Sequence, residues 1–192
     1  MSKSSSILLG IFALAVLALG GCTKPYIITE ELAGPLTPDA SCSIGAITDE
    51  LPSDFDLEDK PTIETIETFK SHLYNELEDQ KIFSVMREGL ANAKYEVTGN
   101  ILDYKKGSGF IRFLVGFGAG SAQVVVSLKL VDLDTQETVF GGNFTGAVSS
   151  WAEGGEVMFK RVAKDFAKQL KKQLEQLEKK KAKDNVHQAP GA

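Results

Sequence analysis

Hydrophobic positions along the 192-residue chain fall into three patterns. One is an uncharged apolar run, Ile7 to Leu19, with no period. A second is a spacing of three and four residues, which lines up side chains on one face of a helix. Ile63, Ile66, Phe69, Leu73 and Leu77 follow it. They predict a helix from Pro61, a residue suited to a first helical turn, to about Asp79. Phe159, Val162, Ala163, Phe166, Leu170, Leu174 and Leu177 repeat the spacing after a break at Gly154 and Gly155, and predict a long second helix. The third pattern is alternation, which sends successive side chains to opposite faces of a strand. It is strongest from Ser121 to Leu133, where Val124, Val126, Leu128 and Leu130 share one face. It returns from Thr138 to Val148, with Phe140, Phe144 and Val148 on one face. The polar turn Asp134-Thr135-Gln136 between the two makes an antiparallel hairpin. Tyr95, Val97, Gly99 and Ile101 alternate upstream, and Cys42 to Ile47 is a short strand candidate. Ile82 to Ala93 reads either as a short strand or as a further helical turn. The order β, α, β-rich, α predicts an α+β domain, an antiparallel or mixed sheet of about four strands with two helices packed on one face.

The flanks of the apolar run give it a meaning. Lys3 and the free amine precede it, and Gly20, Gly21 and Cys22 follow. It is too short for a comfortable membrane span, which needs about 20 apolar residues, and suits the core of a signal peptide. Leu19-Gly20-Gly21-Cys22 resembles the lipobox of a bacterial lipoprotein. The resemblance implies a signal peptide over residues 1–21, a diacylglyceryl thioether on Cys22 and acylation of the new amino terminus. The membrane is then a partner through covalent lipid, and two or more acyl chains hold a protein stably where one does so marginally. Thr23 in place of Asp implies sorting to the outer membrane of a Gram-negative cell, with the domain facing the periplasm. Residues 23–41 contain three prolines and no steady period, so 22–41 read as the lipidated cysteine and a tether. The domain is expected over 42–178, and 179–192 as a basic disordered tail without apolar anchors.

Composition narrows the chemistry. Hydrophobic residues make up 43% and charged residues 24%, ordinary values for one folded domain with appendages. Two cysteines and two histidines leave most zinc sites and most thiol or histidine chemistry without parts. With Cys22 lipidated, Cys42 is left over; burial is the simple expectation, and pairing between chains the alternative. His72 lies beside the stripe of the first helix and His187 in the tail. Neither has a suggestive neighbourhood, and no paired carboxylates suit general acid and base. No catalytic residue, metal ligand or cofactor is therefore expected.

The unusual stretch is Gly107 to Gly120, GSGFIRFLVGFGAG. It lacks the third-glycine spacing of a dinucleotide fingerprint and the Lys-Ser/Thr ending of a P-loop, and a strand follows rather than a helix. The simple reading is a tight turn or bulged strand entry. The sharper one is an interaction surface carrying Phe110, Arg112, Phe113 and Phe117, since Phe110, Ile111, Phe113, Leu114, Val115 and Phe117 are more apolar residues than a turn needs. Arg112 could pair with Asp103 or Asp132. The run from Gly99-Asn100-Ile101-Leu102-Asp103-Tyr104 through Gly107 and Arg112 to GFGAGSA, then Leu130 to Thr135, resembles a bacterial lipoprotein family catalogued as domain of unknown function 4410. The likeness spans roughly Cys42 to Leu177. That family usually carries Thr-Gly in the later turn, where this chain has Gln136 at the glycine position. The resemblance implies an envelope lipoprotein and supplies no catalytic residue.

Charge is asymmetric. Lys160 to Lys183 carries a net of +7 in a chain whose overall charge is −5. Lysines near a helix C-terminus favour the macrodipole and keep a tail soluble, and anionic lipid is the functional alternative. An envelope address excludes nucleic acid. The expected function is that of a lipid-anchored envelope lipoprotein, a non-catalytic structural or assembly module that self-associates or docks on an envelope protein. The alternative is a module binding a small ligand or lipid between sheet and helices.

Overall fold

The structure, a computed structural model, describes residues 25–37, 40–52, 60–83, 85–88, 93–105, 122–148 and 155–187. Its elements in chain order are β1 (Tyr26–Glu30), β2 (Ser41–Asp49), α1 (Ile63–Asp79), β3 (Val85–Glu88), β4 (Tyr95–Lys105), β5 (Ala122–Asp132), β6 (Glu137–Val148) and α2 (Gly155–His187). The strands form one six-stranded sheet in the order β1-β6-β5-β4-β2-β3. Pairing is antiparallel from β1 through β4 and parallel from β4 through β2 to β3. Parallel neighbours need a crossover, and α1 supplies the one between β2 and β3. The α+β class and the mixed sheet with two helices on one face agree with the pattern of the sequence; the sheet has six strands where about four were expected.

The helix-facing side of the sheet is the expected one. Val124, Val126, Leu128 and Leu130 of β5, Val97 and Ile101 of β4, and Phe140 and Phe144 of β6 are all fully buried. Helix α1 contributes Phe69, Leu73 and Leu77, and α2 contributes Met158, Phe159, Val162, Ala163, Phe166 and Leu170. The rings interlock: Phe69 meets Phe159 at 5.0 Å between centroids, and Phe166 meets Phe140 and Phe144 at 5.4 Å each. Offset and edge contacts of this kind add to burial alone. Ile63 is the exception on its stripe. It stands 82% exposed at the start of α1, one residue after the Thr62 cap, whose hydroxyl accepts from the Thr65 amide at 3.1 Å.

Three differences from the expected organisation matter. Tyr26–Glu30, read as tether, is an edge strand paired with β6, so Pro25 already belongs to the sheet. Its cause is packing: Tyr26 stacks near Phe144 at 6.2 Å and Ile28 packs against the core. The chain after β1 is also pinned, with the Leu32 amide on Gln173 Oε1 at 2.7 Å and the Thr37 amide on the Tyr95 hydroxyl at 3.2 Å. Secondly, the ambiguous stretch after Ile82 contains a strand, β3, which lies parallel to β2 on the far edge. Thirdly, α2 runs on to His187, nine residues into the expected tail, although Glu178 to Asp184 are exposed.

Candidate functional site at the anchor end

Strand direction sorts the molecule into two ends. At one end lie the start of β1, the ends of β2, β4 and β6, the start of β5 and the start of α2, as the pairs Tyr26 with Phe144, Lys105 with Gln123 and Ala122 with Val148 require. The chain between Lys105 and Ala122 therefore leaves and returns at this end. So does the link from Cys22, which lies three residues before Pro25. The candidate residues Cys22, Phe110, Arg112, Phe113 and Phe117 themselves fall outside the described residues. What the structure brings together is the ground on which they stand.

At this end β6 outruns β1. The Thr145 amide donates to the Pro25 carbonyl at 2.6 Å, and beyond it the β6 edge has no strand beside it among the described residues. Arg161 of α2 reaches over the gap, and its guanidinium donates to the Ala147 carbonyl. An edge carbonyl is thereby satisfied by a side chain instead of a strand. Pro25, Ile27, Thr145, Ala147, Arg161 and Lys164 line a cleft of about 720 Å³ there. Ile27 is 67% exposed, because it faces away from the helices while Tyr26 and Ile28 face them. Asp165 also lines the cleft, and its partial burial raises its carboxyl above the ordinary value, with Lys168 and Lys164 opposing the shift.

A second, smaller cleft of about 300 Å³ opens at the same end between the two helices, where Thr65 and Thr68 face Tyr104 and Glu156. His72 stands close by, its Nε2 3.2 Å from Glu156 Oε1 but misaligned for a hydrogen bond. Among the described residues no group of three or more His, Cys, Asp or Glu could hold a metal ion. None of their helices is long and apolar enough to cross a membrane.

Of the other candidates, Asp132 lies at the opposite end, Cys42 in the core, and Asp103 near the anchor end of β4. Asp132, one suggested partner of Arg112, is held by Lys94 at 2.9 Å, and Lys94 also meets Asp134 at 2.6 Å. The Lys94 hydrogen bond holds the Asp132 carboxyl below its ordinary value, aided by the amides of Asp134 and Thr135. Asp103, the other suggested partner, pairs with Lys105 at 3.3 Å. Cys42 is free and fully buried, so burial is its outcome, and desolvation pushes its thiol up to about 12. The cleft residues Arg161 and Lys164 were visible in the sequence only as part of a basic run. Nothing in that run marks which of its cations meet the start of β1, because their neighbour is about 140 residues away in the chain.

An open mixed sheet, both helices on one face, and a chain entry and a glycine-rich connection sharing one end define a class of α+β domain. The fold matches two structures of the PelC dodecamer from Paraburkholderia phytofirmans. One has 16% identity and a TM-score of 0.56, covering 76% of this chain and 95% of that one. The other has 17% identity and a TM-score of 0.51, covering 79% and 98%. The hypothetical protein CT253 from Chlamydia trachomatis matches with 11% identity and a TM-score of 0.50, covering 71% of this chain and 98% of that one. At these identities the likeness is one of fold. No curated protein matches the sequence. The profile of the family described as a domain of unknown function, DUF4410, matches residues 49–158, and this chain belongs to that family.

Proposed function

We propose that this is a lipid-anchored bacterial envelope lipoprotein whose domain is a non-catalytic assembly module. Acyl chains on Cys22 hold it in the outer membrane, facing the periplasm, and protein contacts run through the segment from Phe110 to Gly120. The observation that carries the reading is the convergence of the chain entry and that segment on one end of the sheet. A surface presented beside the anchor is positioned to meet neighbours held in the same membrane. That a protein of this fold occurs as a dodecamer supports the same direction. The alternative, a ligand held between sheet and helices, is disfavoured by the filling of that space, where Phe69, Phe140, Phe144, Phe159 and Phe166 are all fully buried.

The test is fractionation of cells expressing the intact chain, cross-linked before solubilisation. Wild type is expected in the outer membrane with a cross-linked ladder, and Cys22→Ala in the soluble periplasm. Replacing Phe113 and Phe117 with Ser is expected to remove the ladder and leave the circular dichroism unchanged. Unchanged localisation of Cys22→Ala would overturn the anchor, and a lone monomer in the membrane would overturn assembly.

A further inference from the structure

The entry of β1 into the sheet sets how far the domain can stand from its lipid. Cys22 lies three residue steps before Pro25, and fully extended these span at most about 11 Å. Pro25 is not free to move away, because its carbonyl is bonded to Thr145 and Tyr26 to Glu30 continue into the sheet. The 720 Å³ cleft has Pro25 in its wall. Any headgroup layer at the anchor therefore lies within about 11 Å of that wall, close to the distance of roughly 8 Å over which a charged surface acts at physiological salt. A flexible 19-residue tether would have put the same wall at about 25 Å on average, where the attraction is screened.

The side chains at this place suit an anionic, partly apolar surface. Arg161 and Lys164 line the cleft. Lys168 follows one turn after Lys164 on the same exposed side of α2, and both act on the carboxyl of Asp165. Ile27 lines the same cleft from the edge strand β1, 67% exposed. A hydrophobic residue rimmed by cations is the composition that interfacial segments use, the cations meeting phosphates and the apolar group entering the headgroup boundary.

We propose that the cleft beside Pro25, with Ile27, Arg161, Lys164 and Lys168, is a docking surface for the anionic phospholipid headgroups of the bilayer that carries the anchor. The surface rests on the anchor reading for its nearness to membrane, yet its affinity is a property of the folded domain. It works as a second membrane signal that fixes orientation, where the acyl chains fix only attachment.

The experiment removes the lipid and asks whether the domain still finds the surface. The mature chain, residues 22–192 with Cys22→Ala, is sedimented with vesicles of phosphatidylethanolamine mixed with phosphatidylglycerol, and with phosphatidylcholine vesicles. Binding is expected to the first and not to the second. Lys164→Gln and Lys168→Gln are each expected to weaken it roughly fivefold, and together ~25-fold. Their deficit should vanish at high salt, whereas that of Ile27→Ser should persist. Lys129→Gln, an exposed lysine of β5 away from the cleft, should change nothing. Equal binding to both vesicles, an equal loss from Lys129→Gln, or no binding at all would overturn the proposal. So would displacement by inorganic phosphate at matched ionic strength, which would assign the cleft to a free anion. Acylation of Cys22 is followed separately, by labelled palmitate in the intact chain. Loss of labelling with vesicle binding retained would sink the anchor and uphold the surface; labelling without vesicle binding would do the reverse.

Discussion

Among the described residues, two that are not glycine hold backbone angles that favour glycine. Lys81 has a φ of 54° just past the end of α1, and Gln136 has a φ of 60° in the turn between β5 and β6. Left-handed φ costs a non-glycine residue about 1–2 kcal/mol. Lys81→Gly and Gln136→Gly are thus expected to stabilise the fold by about 1 kcal/mol each, read as a rise in urea midpoint. The turn survives without its glycine because local bonds over-determine it: the Gln136 amide reaches the Asp132 carbonyl at 2.8 Å, and its side chain donates to the Leu133 carbonyl at 2.8 Å. Asp132 is the centre of that arrangement, and Asp132→Ala should cost about 1 kcal/mol by removing its bonds to the Asp134 and Thr135 amides. Since its folded pKa lies below the ordinary 3.8, its contribution is complete above that pH and is lost as pH falls through the folded value. The sign is reversed for Cys42. The native thiol binds its proton up to about 12, while the unfolded one releases it near 9.0, so stability drains away as pH rises between the two. At pH 8 the native chain should leave Cys42 unreactive toward a thiol reagent, and unfolding should expose it.

Elements differ in how clearly the sequence announces them. Strand β5 alternates through its eleven residues, β4 from Tyr95 to Ile101 before a bulge, and β6 from Gly142 to Val148, and the apolar positions read from the pattern are buried in each. Helices α1 and α2 carry stripes long enough to be unambiguous. The edges are different. β1 has only Tyr26 and Ile28 as inward positions, with Pro25 and Pro35 nearby, and two residues make no period. β3 is four residues long and parallel, so it owes its place to the crossover from β2 rather than to its own pattern. The glycines say more about β1 than β1 does. A Cβ on Gly142 would sit 2.4 Å from the Ile27 carbonyl oxygen, and one on Gly146 would sit 2.1 Å from that of Met158. Gly142→Ala is accordingly expected to detach β1 while sparing the rest, seen as fast amide exchange confined to Tyr26–Glu30. Gly146→Ala should instead lever α2 from the sheet and destabilise the whole domain by about 1–3 kcal/mol or more, measured by thermal melting. No alternation or stripe encodes these close approaches; their only trace is three glycines in the six residues from Gly141 to Gly146.

At the scale of the whole molecule, the candidate site was legible in parts and not in its arrangement. Cys22 and the Phe110–Phe117 segment stand out by local composition, whereas the Arg161–Lys164 cleft exists only because β1 and α2 meet. The same short entry has a consequence for symmetry. For an anchored chain, every copy in one leaflet stands on the same end, so the membrane normal is the only axis about which copies can be related. Dihedral assemblies, which turn half their subunits over, are unavailable, and closed assemblies on a single leaflet are cyclic rings. Neighbours in such a ring would meet flank to flank, and the two flanks of this sheet are unlike. One is the β1 edge, held down by Gly142; the other is the four-residue β3 edge. A head-to-tail ring needs two different faces that fit each other, and the open sheet, whose order begins with β1 and ends with β3, supplies two different faces in every subunit.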